Sequence, residues 1–293
     1  MKRFIQNTLK LLLLIIVLVV VCDIVYTAVY RNSAPRNKLQ YILNTENETF
    51  DIVFLGSSRV ANHVDTKLFD SLSLKKTINL GVLGAGLNDN FLQLKLLIQN
   101  NQVNSVYLQV DDNFEREYPT ALGTASAMPF IRNTIIKEHT KRYFENFNTL
   151  YYVPFYRYAI NDPKIGFREL FFSFINKAPK IDPSVGYIPK YGSRPSQSGS
   201  LPKEITKENA ILKEIRVLCK TNNIELVLFI SPYSSTVKNR DYIDKLKNKV
   251  PDLLDVTKGY NDSLFYNYGH LNNKGARVFT KNLYYATQRI LEQ

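Results

Sequence analysis

Four short segments of the chain carry residue types suited to acyl-transfer chemistry. Gly56-Ser57-Ser58-Arg59 supplies hydroxyls, with a glycine that lets the backbone turn sharply and leave a serine exposed. Asn79-Leu-Gly-Val-Leu-Gly84-Ala-Gly86 supplies glycines that let backbone N–H groups approach a ligand closely. Asp111-Asp112-Asn113 supplies carboxylates and an amide, and Asn267-Tyr-Gly-His270-Leu-Asn-Asn-Lys-Gly275 supplies an imidazole. A serine hydroxyl is a poor nucleophile at neutral pH unless a base takes its proton as it attacks. His270, with an ordinary imidazole pKa near ~6.5, is the candidate base for Ser58. Each segment alone is an unremarkable turn; their order along the chain makes them a set.

The elements that would position them are short apolar runs. Asp51–Leu55, Thr77–Leu80, Ser105–Val110, Ile224–Ile230 and Leu253–Val256 read as buried strands, and the first three end at the first three segments. Helical periodicity spans Leu87–Gln99, Lys203–Lys220 and Asn273–Leu291, the last directly after His270. Strands alternating with helices predict an α/β fold with a parallel sheet covered on both faces. In such sheets ligands bind beyond the carboxyl ends of the strands, where the first three segments fall, and the fourth directly precedes the last helix. Residues 114–202 interrupt the alternation. They hold 17 of the chain's 36 aromatic residues and close in a Pro/Ser/Gly stretch from Pro189 to Pro202. This predicts a largely helical insertion with an aromatic core, ending in an exposed loop.

With these residues in place, the chain resembles the SGNH/GDSL hydrolase superfamily over residues 50–290, the insertion apart. Gly56-Ser57-Ser58 is similar to the first block of that family, with Ser57 where an aspartate usually stands, a variant of its membrane-associated acyltransferases. Asn79 and Gly84 match the second block, Val106 to Asn113 the third, and His270, Leu271, Asn272 and Gly275 the last. The resemblance implies a flavodoxin-like three-layer α/β/α fold with a sheet of about five strands. It implies Ser58 as nucleophile and His270 as base. The oxyanion hole would comprise the Ser58 and Gly84 N–H groups and the Asn113 amide. No cofactor is expected. The implied substrate is an acyl ester or envelope glycan, by analogy with proteins that D-alanylate teichoic acid or O-acetylate exopolysaccharides. A membrane partner that delivers the acyl donor would fit this analogy. One position departs from the pattern: Asn267 stands where the family has the aspartate that supports the histidine. Asn267 takes over that role through its carbonyl, or Asp262 does so from upstream, or His270 and Ser58 work as a dyad. A protein that lost turnover and binds envelope glycan is the remaining alternative. Arg59 either positions an anionic substrate or caps the turn, and His63 and His139 are surface or packing residues.

Composition narrows the classes further. Hydrophobic residues at 45% and charged residues at 22% suit a globular core. The +12 charge is spread along the chain without a nucleic-acid motif, so no nucleic-acid partner is expected. Three scattered histidines and two cysteines predict no metal site, and Gly81, Gly84 and Gly86 do not form a dinucleotide fingerprint. Lys2, Arg3 and Lys10 precede an apolar run from Leu11 to Cys22, and the 22 residues from Leu9 to Tyr30, with Asp23 as their one acid, are enough to cross a bilayer. The expected organisation is a membrane anchor over 1–31, a polar linker over 32–48, and a catalytic domain over 49–293 with its insertion at 114–202. That domain is expected on the extracytoplasmic side.

Overall fold

The apolar runs form a five-stranded parallel sheet in the computed structural model, which describes residues 1–112, 114–194, 199–205 and 208–291. Its strands are β1 (Thr49–Leu55), β2 (Thr77–Asn79), β3 (Gln102–Gln109), β4 (Glu225–Ile230) and β5 (Leu253–Asp255). They lie in the order β2-β1-β3-β4-β5, every neighbouring pair parallel. This is the expected flavodoxin-like order, with the switch of winding direction between β1 and β3.

Register sets the two faces. Ile52 pairs with Ser105, Phe54 with Tyr107, Tyr107 with Val227 and Gln109 with Phe229. Alternation therefore puts Ile52, Phe54, Tyr107 and Phe229 on one face. They form one cluster with Val60 of α3 (Ser58–His63), Phe69 of α4 (Thr66–Ser73) and Phe279 and Leu283 of α13 (Asn273–Leu291). The alternate residues Val53, Leu55, Val106, Leu108 and Leu228 are buried on the other face. The remaining helices of this sheet unit are α5 (Leu87–Asn100), α11 (Ala210–Thr221) and α12 (Tyr242–Lys249). Of these, α5 and α11 contact each other and contribute nothing to the first cluster, so the sheet sits between helical layers.

The chain divides into two compact units, one of Tyr41–Thr120 with Lys180–Gln293, which holds the sheet, and one of Met1–Gln40 with Ala121–Pro179. The second unit is helical. It comprises α1 (Lys2–Asn32), α6 (Ala121–Ala127), α7 (Thr134–Tyr143), α8 (Phe147–Tyr152), α9 (Tyr156–Ala159) and α10 (Asp162–Phe174). Helix α1 is long and apolar enough to cross a membrane, with a mean hydropathy of 2.9 over its most apolar window. Its last turns pack within the unit, where Tyr30, Tyr158 and Leu170 form a core with Tyr26, Val29 and Phe155. Asp23, the acid that breaks the apolar stretch, accepts from the Arg157 guanidinium at 2.9 Å and from the Phe155 N–H at 2.8 Å.

Two local readings differ from the structure. Residues 32–48 are not simply a linker, because α2 (Lys38–Leu43) lies there with Leu39 and Ile42 buried. The helix before β4 starts at Ala210 rather than Lys203, because Asn209 caps it by accepting from the Leu212 N–H at 2.8 Å. Residues 195–198 and 206–207, inside the expected loop and the start of that helix, lie outside the described residues. Just ahead of the expected loop the chain is tied to α3. Ile188 donates its N–H to the Ala61 carbonyl at 2.7 Å and accepts from the Asn62 amide at 2.8 Å.

Candidate active site

β1 ends at Leu55, and Gly56 turns the chain into α3 across a tight gap. A Cβ at Gly56 would lie 2.4 Å from Val60 Cγ2 and 2.6 Å from Gln109 Oε1, so no larger residue fits there unless its neighbours move. The two serines that follow have separate tasks. Ser57 faces inward: its hydroxyl donates to Gln109 Oε1 at 3.0 Å and accepts from the Arg59 N–H at 3.2 Å, capping α3. Ser58 opens the helix with its Oγ 2.9 Å from His270 Nε2. Among the described residues nothing accepts from the Ser58 N–H.

His270 is delivered by a small antiparallel hairpin, β6 (Phe265–Asn267) and β7 (His270–Leu271), which the sequence reading did not include. The Asn267-x-Gly269 spacing is a turn signal that would have found it. Asn267 Oδ1 accepts from the Gly269 N–H at 3.1 Å and the His270 N–H at 2.9 Å, and lies 3.0 Å from His270 Nδ1. Backbone N–H groups only donate, so the atom facing the ring is the amide oxygen. The ring nitrogen beside it must then be Nδ1–H, which leaves Nε2 with a free lone pair toward Ser58. Asp262 is engaged elsewhere: its carboxylate accepts from the Ser235 N–H at 2.8 Å and the Ser235 hydroxyl, and no hydrogen bond joins it to His270. Burial, followed by the positive charges of Arg59 and Lys190, pushes the His270 imidazole down to about 4, against an opposing pull from Asp112.

No protein-family model matches the chain, and no curated protein matches it. Among solved structures it is similar to a protein assigned to the G-D-S-L lipolytic family from Desulfitobacterium hafniense DCB-2. That likeness has 11% identity and a TM-score of 0.38, and it covers 81% of this chain and 99% of that one. The chemistry therefore rests on the geometry of Ser58, His270 and their neighbours.

Behind the nucleophile lies a polar layer that the sequence reading under-used. Arg59 is buried, so it neither meets substrate nor caps the turn. Its Nη1 donates to Asp111 Oδ2 at 2.9 Å, and its Nη2 donates to the Ser231 and Pro232 carbonyls at 2.6 and 2.8 Å. The guanidinium also lies 3.6 Å over the Tyr233 ring. Burial raises the Asp111 carboxyl and Asp112 adds to this, while Arg59 opposes both. Tyr242 donates its hydroxyl to the Asp111 carbonyl at 2.9 Å. The ends of β1, β3 and β4 are thus joined around one cation.

His63 is a fully buried packing residue with a second duty. Its Nε2 accepts from the Leu271 N–H at 3.0 Å, so Asn267 and His63 hold the backbone N–H groups of two successive residues, 270 and 271. His139, in the helical unit, is buried against Tyr143. Gly84 sits in the loop between β2 and α5 at φ +73°, a left-handed conformation that favours glycine. Asn113, the third expected oxyanion donor, lies outside the described residues. Asn79 is buried, and its amide donates to the Val60 and Val64 carbonyls at 2.8 and 2.9 Å, tying β2 to α3. Among the described residues no group of three or more His, Cys, Asp and Glu is arranged to hold a metal ion. A cleft of about 850 Å³ lined by Glu48, Thr49, Gln102 and Ile224 lies at the amino ends of the strands, the end of the sheet opposite Ser58.

Proposed function

We propose that the protein is a membrane-anchored serine esterase or O-acyltransferase of the SGNH/GDSL type that works through an acyl-enzyme on Ser58. The observation that carries this reading is the relay Ser58 Oγ, His270 Nε2, His270 Nδ1, Asn267 Oδ1, with separations of 2.9 and 3.0 Å across its two hydrogen bonds. As Ser58 Oγ bonds to the ester carbonyl carbon, its proton passes to His270 Nε2. The carbonyl oxygen becomes an oxyanion, received by the Ser58 and Gly84 N–H groups and the Asn113 amide. Each such donor is worth about 2.7–4 kcal/mol of barrier. Collapse breaks the bond to the leaving alcohol, which takes the proton from Nε2. The acyl group on Ser58 then passes to water or to a sugar hydroxyl by the same steps in reverse.

Asn267 orients the imidazole and fixes its tautomer, the duty that asparagine performs in papain-like proteases. Being neutral, it stabilises the imidazolium less than a carboxylate would. His270 therefore stays an unprotonated base far into the acid range.

A fluorophosphonate probe on the full-length protein tests the reading. The expected result is labelling that disappears in Ser58→Ala and persists in Ser57→Ala. Absence of labelling in a folded preparation that binds envelope glycan saturably would favour the turnover-deficient alternative. Envelope acyl esters or glycans are the proposed substrates, with a membrane-bound donor of the acyl group and the sheet unit on the extracytoplasmic side. A reporter fused after Gln293 that is active only outside the cytoplasm supports that orientation, and cytoplasmic activity rejects it.

A further inference from the structure

Helix α10 carries an apolar stripe that nothing in its own unit covers. Gly166, at φ +72°, breaks the helix, and the regular part begins at Phe167. Leu170 and Ser173 face inward and are buried, whereas Phe167, Phe171, Phe174 and Ile175 are 64%, 49%, 68% and 49% exposed. The phenylalanines stand at i, i+4 and i+7, one continuous face of a helix. Three cations gather at the edge of this stripe around Phe172: Lys177 Nζ at 4.3 Å from the ring centre, Arg168 at 5.3 Å and Arg36 at 5.4 Å.

The position of the stripe follows from α1. Its apolar stretch, Leu9 to Tyr30, is about 33 Å long at ~1.5 Å per residue, enough to cross a bilayer's hydrocarbon core. Asp23, the acid within it, is held by Arg157. Tyr30, at the end of that stretch and so at the membrane boundary, packs in one cluster with Leu170 of α10. The exposed face of α10 lies at the depth of the lipid headgroups. Charge points the same way. Leaving out Lys2, Arg3 and Lys10 at the far end of α1, the helical unit holds 11 basic and five acidic residues, a net +6 on the side of α10.

We propose that α10 lies in the membrane interface as an amphipathic helix, with Phe167, Phe171 and Phe174 among the upper acyl chains and Arg168 and Lys177 at anionic phospholipid headgroups. This rests on the anchor reading of α1. The two together hold the helical unit to the membrane at two points rather than one, which restricts how it pivots about α1.

The test places an environment-sensitive dye on single cysteines at Phe167, Phe171 and Phe174, and separately at Leu12 within the span. It uses the full chain carrying Cys22→Ala, reconstituted in phosphatidylethanolamine/phosphatidylglycerol vesicles. Cysteine at exposed positions leaves the core intact, and Cys219 is buried. The expected result is a blue shift at all three α10 positions, loss of quenching by aqueous iodide relative to free dye, and quenching by lipids with nitroxides near the headgroup. Dye at Leu12 should be quenched by nitroxides deep in the bilayer. If Leu12 is embedded while the α10 dyes are quenched by iodide like free dye, the interface is overturned and the anchor stands. If the α10 dyes are shielded from iodide but untouched by any nitroxide lipid, a second copy of the chain covers the stripe and the proposal also fails. If Leu12 itself is in water, the anchor reading falls first and the interface falls with it.

Discussion

His270 and Asn267 make the residue-scale chemistry unusual in a measurable way. A buried imidazole at about 4 with a neutral orienter is in its base form across the whole neutral range. The acidic limb of kcat/KM on a soluble acetyl ester is therefore expected near pH 4 instead of near the ordinary histidine value of 6.5. Asn267→Asp puts a negative charge beside Nδ1, so that limb should move up toward neutrality with a higher plateau rate. Asn267→Ala should lower the plateau at unchanged KM. Replacing His270 by alanine is expected to cost about 10²–10⁴-fold in kcat. The same group links stability to pH. Its folded value lies below its unfolded one, so the unfolded chain binds more protons as the pH falls from 6.5 toward 4. Stability is complete above that window and declines through it, by on the order of 3 kcal/mol for His270. Buried His63, whose imidazole is also pushed down by burial, adds a change of the same sign. Urea midpoints measured at pH 7 and pH 4.5 check this, and equal midpoints would mean that neither ring is desolvated.

At the scale of elements, the strand ends are held by groups that touch no substrate. Arg59 sits between the turn after β1 and the carbonyls after β4, with Asp111 as its counter-charge. Asp111→Ala leaves a buried guanidinium without its counter-charge and is expected to destabilise the sheet unit by about 3–5 kcal/mol, read from the shift in urea midpoint. Gly186, at φ +75°, crosses the end of β2 so closely that a Cβ there would lie 1.8 Å from the Asn79 carbonyl oxygen. Gly186→Ala should free the segment that runs past α3, seen as new proteolytic cleavage between 180 and 194 while β1–β5 stay protected. The strands were legible because each is an apolar run closed by a turn. The β6–β7 hairpin was not, because Phe265–Asn267 and His270–Leu271 form no apolar run, and only the Asn267-x-Gly269 turn marks them.

For the molecule as a whole, α1 is long and apolar enough to cross a membrane and is also part of a folded unit. Its last turns supply Asp23, Thr27 and Tyr30 to the interior of the helical unit, where Arg157 is almost fully buried. A soluble version starting at residue 32 would strip Arg157 of its acid and expose Tyr158 and Leu170. It should aggregate, bind a hydrophobic dye, and lose residues 121–179 to limited proteolysis. A version that begins just before Asp23 should resist on all three counts. Arg157→Met in the full chain tests the same contact by leaving Asp23 unpaired, and faster proteolysis of α9 is the expected outcome.

The sequence by itself determined the parallel α/β sheet, the apolar first helix, the largely helical insertion, and the four segments from which the candidate site is built. These are carried by local signals: apolar runs of strand length, a long uncharged stretch, and glycines and polar residues at strand ends. Only the tertiary structure decided which groups meet. It turned Ser57 inward and Ser58 toward His270, put Asn267 rather than Asp262 against the imidazole, and buried Arg59 that either surface role would have exposed. It also turned Asp23 from a blemish in an apolar stretch into the partner of Arg157, 134 residues away. The physical reason is the same in each case. A polar side chain is assigned by what can satisfy it once water is excluded, and its partner lies far away in sequence, where no periodicity reaches.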